Sequence, residues 1–209
     1  MNEELEIITN EPNSYIIDSN RSNIYKFDID QDFETPSQVR DLLRLLDTQT
    51  EYDTTVLRVN IMGGCAYSLF SIIDAIRSSK GQVVAQVVHA SSAGSLLSLV
   101  CDDCYTVPYG EWYIHEMQSG HYGDTSYQKK EIKFLEKTQR RLFDEVYKGF
   151  LTDKEIDDLC TGKVRDYNFD DIEANERLVK WRELKEKEYK ESCECEETLN
   201  SIEEENCTK

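Results

Sequence analysis

Apolar residues along this chain fall into two rhythms, alternation or short unbroken runs that mark strands, and a three-to-four spacing that marks helices. Tyr15-Ile16-Ile17 and the stretch from Asn23 through Ile24, Tyr25, Lys26 and Phe27 to Ile29 read as short strands. Thr35-Pro36-Ser37-Gln38 then opens a helix. Thr35 caps it, Pro36 suits the first helical position because an N–H there has no partner to lose, and Gln38 completes a capping box. Val39, Leu42, Leu43 and Leu46 follow on one face. Residues 54–61 form the next strand, ended by Gly63-Gly64, and Leu69, Ile72, Ile73 and Ile76 stripe a second helix with Gly81 beyond its end. The β-branched run 83–88 reads as a buried strand, and His89-Ala90-Ser91-Ser92-Ala93-Gly94-Ser95 leads from it into a Leu-rich helix. Strand, helix, strand, helix at this spacing predicts βαβ crossovers, a mainly parallel sheet and helices packed on it, an α/β fold.

The second half continues the pattern. Residues 105–108 and 111–115 read as two further short strands, and a polar stretch over 118–123 separates them from a long helical region over 124–150. That helix is polar for its first turns and apolar later, the pattern of one that projects from its domain to meet another subunit. Thr152-Asp153-Lys154-Glu155 is a second capping box, opening a short helix that Gly162 closes. Asp170-Asp171 begins a last helix, docked by Ala174, Leu178, Trp181 and Leu184. The chain therefore divides into a flexible acidic arm (1–14), one folded domain (15–181) and a charged tail (182–209), a frayed helix and then disorder.

Composition narrows the partners. A formal charge of −18 over 209 residues argues against nucleic acid or an anionic membrane surface, since either would repel the chain. The longest apolar runs are too short to cross a bilayer, and Met1-Asn2-Glu3-Glu4 is the wrong chemistry for an export signal, so a cytoplasmic protein is expected. Seven cysteines, an odd number without export, imply reduced thiols. Cys101 with Cys104, and Cys193 with Cys195, are short lone pairs with no histidine in register, so no metal and no cofactor is expected.

The chemistry-bearing residues gather at predicted strand ends. A serine opening a helix sits where N–H groups are unpaired and the helix dipole favours negative charge. Ser92 is in that position, with an ordinary N-cap as its simpler reading. A Gly-Gly after one strand leaves an N–H approachable. His115 ends a later strand, with a hydrogen-bonded structural histidine as its plainer alternative. Functional groups collect at the carboxyl ends of parallel strands. Serine attack, proton transfer to histidine and an oxyanion held by backbone N–H groups make acyl transfer the chemistry this set suits. Ser91 would face another way in a rigid turn, His89 shares a strand segment with the serine and rarely could face it, and His121 in its polar loop is given no role.

In order and spacing these segments resemble the Clp protease proteolytic subunit, ClpP. Asn60-Ile61-Met62-Gly63-Gly64, Ala90-Ser91-Ser92-Ala93-Gly94-Ser95-Leu96-Leu97, Tyr113-Ile114-His115-Glu116-Met117 and Gly120 with Gly123 are similar to that family's N-S-P-G-G, A-A-S-M-G-A-x-L, M-I-H-Q-P and following glycine segments. Val164-Arg165-Asp166 and Glu173-Ala174 resemble its R-D and E-A segment. The resemblance implies Ser92 as nucleophile, His115 as general base and then acid, Asp166 as the orienting carboxylate, and the N–H groups of Gly63 and Ala93 as the oxyanion hole. Asp170 and Asp171 rival Asp166, though helix-start residues explain them simply. Ile61-Met62 stands in place of Ser-Pro, Glu116-Met117 in place of Gln-Pro, and Leu178 where a glycine usually follows Glu-Ala.

The implied fold is ClpP/crotonase-like: repeated ββα/βαβ units, a mainly parallel sheet and a long projecting handle helix. The implied function is an ATP-dependent serine endopeptidase subunit, in a homo-oligomeric ring or stacked double ring that cleaves unfolded protein or peptide. By the same resemblance, Gly64, Gly120 and Gly123 line the substrate groove, with residues 120–127 as an edge for β-augmentation. No GxxxxGK[ST] signature is present, so ATP hydrolysis falls to a separate AAA+ unfoldase. Two other readings remain at this point: a catalytically silent ring subunit, and a crotonase-type acyl-CoA enzyme, which leaves the Ser92–His115 pairing without a purpose.

Overall fold

The computed structural model describes residues 14–19, 22–120 and 122–207, with side chains for 22–120 and 122–191. The arm expected over 1–14 lies outside these residues except for Ser14, and His121 lies outside them too. Ser14–Ser19 (β1) and Ser22–Ile29 (β2) pair antiparallel, with Ile17 opposite Ile24. A 3₁₀ turn, Pro36–Val39, leads into Arg40–Thr48 (α1), and the Gln38 side chain accepts the Thr35 N–H at 2.8 Å as the capping box requires. Thr54–Ile61 (β3), Ala66–Ser78 (α2), Gln82–Ser91 (β4), Ala93–Val100 (α3) and Asp103–His115 (β5) complete the crossovers. Thr125–Val146 (α4), Asp153–Cys160 (α5), Asp166–Phe169 (β6) and Asp171–Cys207 (α6) follow.

The sheet has six strands in the order β1-β2-β3-β4-β5-β6. β2 to β5 run parallel, while β1 and β6 are antiparallel edges. Because spatial order follows chain order, every crossover steps the same way, and right-handed crossovers that never reverse leave their helices on one face. Burial agrees: Leu57, Val59, Val83, Ala85 and Val87 are buried against helices, while Arg58, Val84, Gln86 and Tyr105 retain exposure on the opposite face. Gly94 brings α3 close to β3, where an added Cβ would lie 2.9 Å from Ile61 Cγ1. α3 is buried nearly all round, as an apolar eight-residue helix must be.

Four features differ from the sequence reading. The two strands expected over 105–108 and 111–115 are one strand, β5, whose register against β4 shifts between Val87↔Thr106 and His89↔Glu111. Tyr109 at φ 65° and Gly110 take up the extra length, and a Cβ on Gly110 would sit 2.9 Å from the Val87 carbonyl oxygen. β4 runs on to Ser91 rather than stopping near Val88. β6 is an additional strand, recruited by pairing with β5 rather than by its own apolar pattern. α6 stays helical to Cys207, past Arg182 where fraying is expected. Asn175 pairs with both backbone groups of Thr106 at 3.0 Å, a ladder substitute that covers the edge of β5 which β6 leaves open. Arg182 binds Asp103, Lys185 donates to the Cys101 carbonyl at 2.8 Å, and Lys148 reaches Glu188, fixing α6 further along.

Behind β6, Arg177 of α6 ties the last elements together. Its guanidinium lies 4.2 Å from the centroid of the Phe169 ring, donates to the Phe150 carbonyl, and pairs with Glu155 at 2.8 and 3.0 Å. Burial alone would raise the Glu155 carboxyl, but Arg177 and the Thr152 N–H and hydroxyl outweigh it and hold the group below its ordinary 4.5. A depressed carboxyl contributes stability above its unfolded value and loses it as pH falls through the folded one. Glu155→Gln should therefore cost about 1–3 kcal/mol at neutral pH. In thermal melts across the acid range, the gap between variant and parent should begin to narrow below the unfolded value of 4.5 and go on narrowing as pH falls through the depressed folded one.

Candidate active site

β4 ends at Ser91 and α3 begins at Ala93, so the chain turns from strand to helix across the single residue Ser92. Ser92 takes φ 54°, ψ −118°, a conformation that costs a non-glycine residue about 1–3 kcal/mol and persists only where surroundings impose it. The surroundings here are specific. The Ser92 N–H donates to the Tyr113 carbonyl at 2.8 Å, and its carbonyl accepts from the Ser95 N–H at 3.1 Å and the Ser95 hydroxyl at 2.7 Å. With its proton committed there, Ser95 must accept from the Tyr147 hydroxyl, 2.7 Å away and fully buried. Burial pushes the Tyr147 phenol well above its ordinary value, so it remains a donor. Ser91 is 2% exposed and buried in the sheet, whereas Ser92 is half-buried and its hydroxyl has no hydrogen-bond partner among the described residues.

The Gly-Gly turn after β3 lies against this serine. A Cβ on Gly63, at φ 153°, would stand 3.1 Å from Ser92 Cβ and 3.4 Å from Oγ. Three of the turn's four N–H groups are claimed: Met62 and Gly63 donate to Asp32 Oδ1 at 2.8 and 3.0 Å, and Cys65 donates to the Phe33 carbonyl at 2.8 Å. The N–H of Gly64 has no acceptor among the described residues, and Gly64 is exposed where Gly63 is buried. Gly64 must be glycine because a Cβ would enter the Phe33 ring at 2.3 Å. The Gly63 N–H, expected in the oxyanion hole, is thus already occupied by a carboxylate, and the available donor of the pair is Gly64. Ala93, at the first position of α3, carries an N–H for which the helix has no internal acceptor.

His115 ends β5 directly across from Asp166 on β6, with Tyr113 across from Asn168. Such pairs place their side chains on one face. His115 Nδ1 is 2.6 Å from the Glu116 carbonyl oxygen. A carbonyl can only accept, so Nδ1 carries a proton, and in the neutral ring Nε2 is then the acceptor, the tautomer a general base needs. The Asp166 carboxylate accepts from the Tyr113 hydroxyl at 3.2 Å and from Asn168 at 3.3 Å. Desolvation and the hydrogen bond to Asp166 push the Tyr113 phenol up. No hydrogen bond joins Ser92 to His115, or His115 to Asp166, among the described residues. Gln139, buried on α4, accepts the Met117 N–H at 2.6 Å and fixes the exit from β5.

The remaining candidates separate cleanly. Asp170 caps α6 by accepting the Glu173 N–H at 2.9 Å, and Asp171 lies in its first turn, as helix-start residues do. His89 sits across from Asn60 and Glu111, with Nδ1 3.7 Å from the Glu111 carboxylate. Gly120 and Gly123 lie in the exposed connection between β5 and α4. Cys101 and Cys104 are free, buried thiols pushed up by desolvation. Among the described residues no cluster of three His, Cys, Asp or Glu side chains is placed to hold a metal, and no helix is long and apolar enough to cross a membrane. Sequence reasoning gave no role to Asp32, Ser95, Tyr147 or Gln139, because Asp32, Ser95 and Gln139 act on backbone groups and Tyr147 on the Ser95 hydroxyl, pairings that no motif displays.

A family model described as Clp protease matches residues 19–177, most of the chain. No curated protein matches it.

The brace behind Ser92 has a measurable consequence. Ser95→Ala removes the hydroxyl bond to the Ser92 carbonyl and strands the buried Tyr147 hydroxyl, for an expected loss of about 1–3 kcal/mol in denaturant unfolding. Tyr147→Phe leaves the Ser95–Ser92 bond intact and should cost less, about 1 kcal/mol.

Proposed function

The chain belongs to the Clp protease family, and we propose that it is a working serine endopeptidase subunit that cleaves unfolded protein or peptide through an acyl-enzyme. One observation carries this reading: a strained Ser92 with an unpartnered hydroxyl, followed by the helix-opening Ala93 and packed against Gly63 of a turn whose next N–H, that of Gly64, is unclaimed among the described residues. Ser92 Oγ attacks the scissile carbonyl as His115 Nε2 takes its proton, and the oxyanion forms against Gly64 and Ala93. Gly64 replaces Gly63 in this role, since Asp32 holds the Gly63 N–H. The imidazolium then protonates the leaving amine, and water taken up by the same base releases the acyl group. Asp166, opposite His115, favours the imidazolium by its charge. The residues flanking β5, Gly120 and Gly123 among them, pair with substrate.

Assembly into a ring, with a second ring stacked on it, is part of the proposal. Parallel sheets are ordinarily covered on both faces, and the face bearing Arg58, Gln86 and Tyr105 retains exposure, with no helix covering it among the described residues. α4 exposes Ile132 at 49% and Phe134 at 63%, apolar surface suited to a second copy. A cytoplasmic setting and delivery of substrate by a separate AAA+ unfoldase complete the reading.

A silent ring subunit is the second reading, favoured by the unjoined relay: Asp166 is engaged by Tyr113, and His115 by Glu116. A fluorophosphonate probe separates the two. The purified chain should label, and Ser92→Ala should abolish labelling; an assembled chain that never labels is the silent subunit. Because the Glu116 carbonyl already sets the His115 tautomer, Asp166→Asn should slow labelling by about 10–100-fold, short of the roughly 10⁴-fold loss seen where the carboxylate alone sets it. Phe134→Glu should reduce the assembly seen by light scattering to a smaller species.

A further inference from the structure

Asp32 stands outside every motif that points to the active site, yet it grips the turn on which the oxyanion donor sits. We propose that Asp32 is a positioning residue for the hydrolysis described above, and the inference rests on that reading. One carboxylate oxygen, Oδ1, accepts from two successive backbone groups, Met62 N–H at 2.8 Å and Gly63 N–H at 3.0 Å. The adjoining residue grips the far side of the same turn, through the Cys65 N–H to the Phe33 carbonyl at 2.8 Å and the Phe33 ring under Gly64. The two-residue segment Asp32-Phe33 therefore consumes the N–H groups of 62, 63 and 65 and leaves that of 64. A turn with three of its donors fixed has little freedom to aim the fourth elsewhere.

The need for such a grip follows from the residues themselves. Met62 is 65% exposed and Gly63 and Gly64 carry no side chain, so no packing of the turn's own residues holds it. Proline at position 62 would fix φ and carry no N–H; Met62 does neither, and its N–H goes to Asp32. A pre-aimed donor matters because oxyanion stabilisation depends on dipoles already oriented when charge develops. Asp32 also lies close enough to act in the opposite sense, as a carboxylate that competes with the developing oxyanion for backbone donors. Its bonds to Met62 and Gly63, and not to Gly64 or Ala93, favour the positioning role.

The test is kinetic, on the full-length chain with a short chromogenic peptide and the fluorophosphonate probe. Asp32→Ala should lower kcat by about 10–100-fold, below the 10²–10³-fold range for outright loss of an oxyanion donor, while KM stays within about twofold. Asp32→Asn keeps an acceptor oxygen in place and should recover most of the rate. Amide exchange at Met62 and Gly63 should quicken in Asp32→Ala and not in Asp32→Asn. An unchanged or increased kcat in Asp32→Ala, or an Asp32→Asn variant no better than alanine, overturns the proposal. If Asp32→Ala does not fold, the asparagine variant alone decides it, because it must then match the parent in kcat within about threefold. A parent chain that neither labels nor cleaves removes the peptidase reading and this inference together. An active parent with an indifferent Asp32→Ala removes only the inference.

Discussion

The site is organised by a reversal of chain direction that is given only one residue in which to happen. A strand entering a helix through Ser92 alone must adopt a positive φ there, and a serine in that state stays only if its backbone is held at both ends. Tyr113 holds the amide and Ser95 the carbonyl, with Tyr147 behind Ser95. The strain is thus met by partners on β5, on α3 and at the C-terminal cap of α4, and those partners set where the hydroxyl stands. Remove the reversal and the side chain of residue 92 becomes one more position at the end of a strand.

The neighbouring turn solves a complementary problem. Ser92 has to be approached closely by a backbone that offers a donor, which requires glycine, and glycine surrenders rigidity. Phe33 and Asp32 restore it from outside the turn, one by a ring beneath Gly64 and the other by a doubly engaged carboxylate. The same logic appears at His115, whose ring is oriented by a neighbouring carbonyl while Gln139 pins the residue beyond. Tyr113, Ser95 and Glu116 act from within the motif segments, whereas the supports behind them, Asp32, Phe33, Tyr147 and Gln139, belong to no motif.

That division explains what the sequence displayed and what it concealed. Crossover strands and helices were legible because apolar spacing encodes burial, as Leu69, Ile72, Ile73 and Ile76 show on α2. Ser92 and the Gly-Gly pair were legible because few residue types tolerate a tight junction. β6 was not, since Asp166-Tyr167-Asn168-Phe169 is four residues long, too short for its polar–aromatic alternation to stand out, and it is paired to β5. The choice between Gly63 and Gly64 was equally hidden. It turns on which N–H a residue 31 positions before Gly63 already holds, a pairing through space that spacing along the chain does not carry.

The relay at His115 is best understood through what each partner contributes to charge. A backbone carbonyl fixes a tautomer but brings only a partial negative charge to an imidazolium, whereas a carboxylate brings a full one. In the proposed hydrolysis the Glu116 carbonyl prepares the base, and Asp166 adds most once the proton has moved. Tyr113 and Asn168 keep that carboxylate bonded in the meantime. Asp166 is half-buried, and a half-buried carboxylate without partners is costly. The two strands already set Asp166 opposite His115, and directly opposed residues have Cβ atoms about 4.5–5.5 Å apart, a span that long polar side chains can close. A resting site with its base prepared and its carboxylate held by other donors is consistent with a hydrolase whose relay closes around substrate, because hydrogen bonds of this kind tighten in the loaded complex.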